Sequence, residues 1–500
     1  MNMDKWLVAF RNYWAWILIF LFGIACLLLL LLQGFNCDEH MHIHFQWLIS
    51  SGKRPGVDFL CHYPNLFYYI YNPFFSFFPY NHVTLLVHRF AVFAFLAVLL
   101  VIASYNSRKI TNSIYPGLFA LLIPATFIDV AAFREFRPDL FAYALFASSF
   151  LLLMYQDGKR NFFALFFAAF LATFSLLVMP KHVYICIAVF LGYLVSCYPG
   201  WKRMLKTFAI WVSGAVACVL LGFFITSGNI IATWNALQIV VAVDKANPSH
   251  LFNGCWDILM KSPNFFYIPI LLIGIIGLVR SSNAVGREAR FVLYGLAAGI
   301  VFSLISIHCV YSQYTMPILV FSSFLVPLGI RAFAGNAVFT IILLCGTIYG
   351  VLLFPKMNVV IQDASLIKHV ILQHTLLKIV PANEYVVSFP FTHLDFRPDP
   401  GFVYYDGKPS FRRYLPSKYS QFFTQDYFFY QLEHTKPGYF CFFTMDNQPQ
   451  EYTQACERYF RNHTNEYVQI GIPCDMHPAL RDKMLPIIVR RDLLEKRSGQ

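Results

Sequence analysis

The sequence predicts a polytopic α-helical membrane protein of about eleven transmembrane helices, with amphipathic helices in its external loops and a small external C-terminal α/β domain. Three observations carry that prediction. Hydrophobic residues fill 58% of the 500 positions and charged residues only 13%, with a mean hydropathy of +0.55; a soluble chain of this length needs far more polar surface. Apolar stretches of roughly 17–23 residues, the length a bilayer core demands, recur along residues 1–356. Basic residues then fall in every second loop between them.

The spans read from hydropathy are 12–34, 83–104, 114–131, 139–155, 162–179, 183–199, 207–227, 264–280, 290–307, 314–330 and 336–355. Pro180-Lys181-His182 is a thin separator between the fifth and the sixth. Trp14 and Trp16 suit an interfacial belt at the start of the first. That first span has no small-residue cleavage site behind it and is read as retained rather than as a signal peptide. Lys5 and Arg11, Arg108-Lys109, Lys159-Arg160, Lys202-Arg203 with Lys206, Arg280 with Arg287 and Arg290, and Arg331 all fall on one side. The positive-inside bias makes that side cytoplasmic, which puts the N-terminus inside and the C-terminal domain in the periplasm or lumen, a bacterial inner membrane being favoured over the ER.

Two domains follow: a membrane domain over 1–356, with a long first external loop at 35–82, and an external α/β domain over 357–500. The latter holds 16 Lys and Arg against 15 Asp and Glu, so about +11 of the formal net charge of +12 belongs to the membrane domain. The positive excess is topological, and nucleic acid is not the expected partner. Of 12 cysteines, Cys26, Cys186, Cys197, Cys218 and Cys345 fall in or near spans as apolar packing residues. Cys37, Cys61, Cys255, Cys441, Cys456 and Cys474 fall outside, where disulfides can form: Cys37 with Cys61 would close the first external loop, two of the last three could pair, and no zinc spacing is present.

Three polar regions interrupt the apolar pattern. In the first loop Asp38 and Glu39 stand where the first span meets water, a costly place for two carboxylates and so a candidate reaction centre. Met41, Phe45, Leu48 and Ile49 then recur at helical spacing, which predicts a helix on the membrane surface with Asp38, His42 and Gln46 on its other face. His40, His42 and His44 alternate around that helix and read as solvated histidines rather than a metal cluster. Ser51 to Gly56 is a turn, and a second aromatic interfacial helix follows Pro64. The second region runs from Asp129 through Arg134-Glu135-Phe136-Arg137-Pro138-Asp139. A longer loop near 228–263, with Trp234, Asp244, Lys245, His250, Trp256 and Asp257, could fold over the same face. The third is the C-terminal domain, with strand-like runs at Tyr385–Phe389 and Tyr439–Thr444 and a charged end, 490–500, expected to fray.

The string Asp38-Glu39, Gly52, Asp58-Phe59 and His62-Tyr63-Pro64 resembles the first-loop signature of GT-C membrane glycosyltransferases. That superfamily includes the protein O-mannosyltransferases and the lipid A aminoarabinose transferases. Arg137-Pro138-Asp139 resembles their second-loop motif, while Lys181 and the segment Tyr311–Pro317 are similar to weaker marks. The aminoarabinose enzymes carry Lys-Pro-Pro where this chain has His62-Tyr63-Pro64, and the Trp-Trp-Asp motif of oligosaccharyltransferases is absent.

The resemblance implies inverting transfer of a sugar from a polyprenyl-phosphate donor to an acceptor hydroxyl on a lipid, glycan or protein at the external face. Asp38 would be the general base with Glu39 beside it. Arg137 and Arg134 lead the candidates for the leaving phosphate, with Lys181, His62, Lys53 and Arg54 behind them. Asp139, Asp58, Arg89 and Tyr311 would support the site. A divalent metal between Glu39, Asp139 and the phosphate is allowed, but no spacing demands one. Two other readings compete: a transporter or flippase of lipid-linked or anionic solutes, and a non-catalytic assembly protein. A transporter would carry charges deep in several spans and paired broken helices at mid-membrane; here the charges gather in external loops. The capping alternative for Asp38-Glu39 is first-turn acids favoured by the helix dipole. For Arg134 and Arg137 it is pairing with Glu135 and Asp139, and for Arg89 it is snorkelling out of the second span.

Overall fold

A computed structural model describes every residue except 1–2, 36, 60, 62, 79, 156–160, 230–252, 262, 282, 284, 307–311, 334–335, 364, 390–395, 400–420, 443–449, 474–483 and 499–500. His62, Tyr311 and most of the 228–263 loop, with Trp234, Asp244, Lys245 and His250, lie outside the described residues. The chain divides into two compact units. One comprises Met1–Leu31, Arg89–Phe224 and Ser249–Asp363; the other comprises Leu32–His88, Ile225–Pro248 and Ala364–Gln500.

The first unit is helical, with a helix in each stretch that hydropathy predicts. Among the described residues six helical stretches are long and apolar enough to cross a membrane: Val8–Leu32, Val83–Thr111, Trp201–Ile225, Asn264–Ser281, Arg287–Ile305 and Ala337–Ile379. The protein is therefore a polytopic membrane protein. Shorter apolar helices occupy the remaining predicted positions, and α1 (Met3–Leu32) to α9 (Trp201–Ile225) follow the predicted order. The stretch 114–131 is helical only as α5 (Tyr115–Ala125), which stops just after Pro124. The stretch 314–330 breaks into Met316–Ser322 and Val326–Ala332, each with Pro in its first turn.

Small residues let these helices approach closely. A Cβ on Gly192 of α8 (Val183–Val195) would collide with the Phe291 carbonyl. One on Gly295 of the helix Arg287–Ser306 would collide with the Ala188 carbonyl. Backbone-to-backbone packing of this kind replaces the hydrophobic drive that lipid does not supply. Polar side chains inside the unit are tied to backbone: Asn106 donates to the Phe324 carbonyl at 3.1 Å, and Ser149 to that of Ala168 at 2.6 Å.

The second unit contains α2 (Cys37–Ser50), α3 (Leu66–Phe75), the start of α4 (His82–Thr111) and a four-stranded sheet. Strands β1 (Val386–Phe389), β2 (Tyr439–Phe442), β3 (Tyr467–Pro473) and β4 (Met484–Arg490) run in the order β1-β2-β4-β3. β1 and β2 are parallel, β4 antiparallel to both of its neighbours. The crossover from β1 to β2 includes the helix Gln425–Thr435. Alternation of side chains builds two cores. Val386, Tyr439, Ile487 and Val489 pack with Leu376, Val380 and Leu493. Val387, Phe440 and Tyr467 face Phe428, Leu432, Ala455 and Tyr459 on the other side.

Three expectations are corrected. Within the charged end Arg491–Ser498 is helical rather than frayed, and Leu493 anchors it in the first of those cores. His40, His42 and His44 are not solvated but buried, at 2%, 0% and 1% exposure, because α2 is covered on both faces rather than lying on a surface. Cys61 and Cys456 are free buried thiols rather than disulfide partners; burial pushes the Cys61 thiol up to about 12.

Candidate functional site

Within the first unit the loop ahead of α6 (Pro138–Met154) folds into an ion-pair cluster. Arg137 is extended, and Pro138 starts α6 with Asp139 in its first turn, where a carboxylate is favoured by the helix dipole. Arg137 Nε donates to Asp139 Oδ2 at 3.2 Å, and its Nη1 lies 3.4 Å from Glu135 Oε2. Lys181, from the short 3-10 turn Pro180–His182, donates to Asp139 Oδ1 at 2.9 Å. Its ammonium sits 4.7 Å from the Tyr314 ring centroid. Arg137 and Asp139 are fully buried and Glu135 nearly so, while the Lys181 side chain is 8% exposed. Tyr143, one turn beyond Asp139 on α6, brings a buried hydroxyl into electrostatic contact with Asp139, Arg137 and Tyr314.

His182 completes the neighbourhood. Ser175 uses its hydroxyl proton on the Ala142 carbonyl at 2.7 Å, so the short contact between Ser175 Oγ and His182 Nε2 has the ring nitrogen as donor. The other ring nitrogen, Nδ1, is then an acceptor, buried and without a partner among the described residues. Tyr143 and His182 are absent from the sequence-derived set. Tyr143 was within reach through its i,i+4 relation to Asp139; nothing local marks His182.

Arg134 and Arg89 do a different job. Arg134 donates to the carbonyls of Ala125 at 3.0 Å, Phe127 at 3.1 Å and Ile128 at 3.3 Å, satisfying the orphan carbonyls where α5 ends. Burial is the leading influence on its guanidinium and lowers its pKa, with Cys26 and Glu135 opposing. Arg89 does not snorkel. It is 1% exposed and donates to the carbonyls of Leu30 and Arg134 at 3.2 and 2.9 Å.

Within the second unit Asp38 and Glu39 occupy the first turn of α2, Asp38 half-buried and Glu39 fully buried. Farther along the helix His42 Nδ1 meets the Tyr68 hydroxyl, with the Tyr63 ring 4.5 Å away. His44 Nε2 pairs with Asp399 Oδ2 at 2.6 Å. His40 packs against Phe35 and His369, whose Nδ1 accepts from the Phe35 amide at 3.2 Å. Lys53, Arg54 and Asp58 are exposed on the following turn. Gly52 there adopts φ +83° and Gly56 φ +76°, and the Arg54 amide donates to Asp58 Oδ2 at 2.7 Å. The local role of Asp58 is therefore to close the turn.

The sequence-derived residues thus divide between the units: Arg89, Arg134, Arg137, Asp139 and Lys181 in one, and Asp38, Glu39, Lys53, Arg54 and Asp58 in the other. For a divalent metal, Asp139 is a poor ligand, because both its oxygens already accept from cations. Among the described residues no group of three or more His, Cys, Asp and Glu side chains is gathered to hold one.

No protein-family profile matches this chain, and no curated protein does. Among solved structures it matches the crystal structure of ArnT from Cupriavidus metallidurans in the apo state, over 98% of this chain and 98% of that one. The TM-score is 0.56 at 10% sequence identity. The resemblance to lipid A aminoarabinose transferases first seen in a few loop motifs thus extends to the fold, which is ArnT-like along almost the whole chain.

Proposed function

We propose that this protein is an integral-membrane glycosyltransferase of the GT-C type, moving a sugar from a polyprenyl-phosphate donor to an acceptor hydroxyl. The observation that carries the reading is the ArnT-like fold over 98% of both chains, together with buried cations at the second-loop motif. In this reading the membrane domain crosses the bilayer eleven times, with its basic loops in the cytoplasm and the reaction on the external face. By analogy the acceptor is a lipid.

The chemistry is a single inverting displacement. The acceptor oxygen forms a bond to the anomeric carbon while the bond from that carbon to the phosphate oxygen breaks. Asp38 takes the hydroxyl proton, and the departing phosphate keeps the electron pair. Arg137 and Lys181 stabilise that charge. Asp139 holds both cations in place and keeps them ionised in a buried setting, so it acts as a positioning residue. Glu39 supports Asp38 at the start of α2. Arg134 and Arg89, engaged with carbonyls, shape the loop rather than bind phosphate. Charges held at helix ends and loops, rather than deep in several spans, favour the enzyme over a transporter.

The test is turnover. Purified protein is incubated with a panel of polyprenyl-phosphate sugars and lipid acceptors, and product is followed by mass spectrometry. Transfer from at least one donor, lost in Arg137→Gln, is the expected result. Hydrolysis without transfer, or movement of donor across vesicles without reaction, would overturn it.

A further inference from the structure

Where α7 (Phe162–Val178) and α9 both begin, the first unit contains a cavity of about 340 Å³. Its wall is apolar, from Phe162, Leu165 and Ile210, and Lys202, Arg203 and Lys206 bring positive charge to it. Lys206 Nζ lies 4.0 Å from the Phe162 ring centroid. Arg203 shares its charge with Glu288 at 3.2 Å, which leaves Lys202 and Lys206 as the leading cations. The N-terminus of α7, capped by Asn161, opens here as well and adds the positive end of a helix dipole. Phe163 and Trp201 stand exposed beside it, at 75% and 64%, as aromatic anchors do at a membrane–water boundary.

We propose that this cavity binds the phosphate headgroup of an anionic phospholipid, a site separate from the proposed donor-binding residues. Two lysines would be wasted on a neutral lipid, and an apolar wall on a free phosphate. The cavity is too small for a whole lipid. Its acyl chains therefore run out of the cavity into the surrounding bilayer. Lys202 and Lys206 hold the phosphate oxygens, while Phe162 and Leu165 receive the glycerol end of a chain.

The experiment uses the full chain reconstituted in nanodiscs of equal phosphatidylglycerol and phosphatidylcholine, then transferred to mild detergent for native mass spectrometry. Wild type is expected to retain phosphatidylglycerol selectively. Lys202→Ala with Lys206→Ala should lower that retention about tenfold, whereas Lys202→Arg with Lys206→Arg should preserve it. The matched removal of two other basic residues, Arg108→Ala with Lys109→Ala, should leave it unchanged. Equal retention by the Lys202/Lys206 alanine variant would overturn the proposal, as would equal retention of phosphatidylcholine. Displacement of the lipid by excess inorganic phosphate would also overturn it, pointing to a free-phosphate site.

Discussion

Lys181 donates a 2.9 Å hydrogen bond to Asp139, a residue 42 positions earlier in the chain, and Asp139 spends its other oxygen on Arg137. One buried carboxylate therefore holds two cations contributed by different segments. The net charge of the cluster with Glu135 is zero, so it can be buried without a counter-ion.

Removing that carboxylate should be costly. Asp139→Asn leaves Arg137 and Lys181 buried against each other, with an expected destabilisation of about 3 kcal/mol or more and a loss of turnover of about a hundredfold or more. A double-mutant cycle with Lys181→Met, read by thermal unfolding in detergent, should recover part of the loss, because the second change removes one of the stranded charges.

The pair between His44 and Asp399 joins α2 to the C-terminal segment within the second unit. His44→Gln is expected to lower stability by about 1–3 kcal/mol. The non-additive part should appear only when Asp399→Asn is present, as measured by unfolding of both single variants and the double.

Helix packing gives a prediction independent of chemistry. Gly192→Ala and Gly295→Ala each force a Cβ into the backbone of the facing helix, and each should cost about 2 kcal/mol or more. Gly23→Ala in α1 has open space and should be neutral or stabilising by up to about 1 kcal/mol. Ranking the three by detergent-resistant folded fraction checks the helix interfaces directly.

His463 sets a pH dependence in the sheet domain. Burial lowers its affinity for a proton, but hydrogen bonds to Glu466 at 2.7 Å and Glu433 at 3.0 Å outweigh burial and raise its pKa above 6.5. A raised folded value means the stabilisation is complete below the unfolded pKa of 6.5 and is lost as pH rises through the folded value. Hydrogen-exchange protection of β3 should fall across that window in wild type and stay flat in His463→Gln.

Much of this was legible beforehand. Long apolar runs place helices because a bilayer leaves the backbone no other partner, and the Arg137-Pro138-Asp139 string marks its own helix start. What the sequence hid depends on distant packing. His42 and His44 look solvated because the hydrophobic pattern of α2 accounts for only one face; Tyr68 and Asp399 engage those histidines. Arg134 looks like a phosphate ligand until Pro124 ends α5 early and leaves carbonyls to satisfy. β3 and β4 escaped notice because Gln469, Gly471 and Pro486 interrupt the β-branched pattern.

The most direct test of the account is single-turnover transfer by Asp38→Asn, with donor binding measured alongside. The account predicts that transfer falls by about two orders of magnitude or more while donor affinity stays within a few-fold of wild type. Transfer at the wild-type rate would contradict it and remove Asp38 as the base.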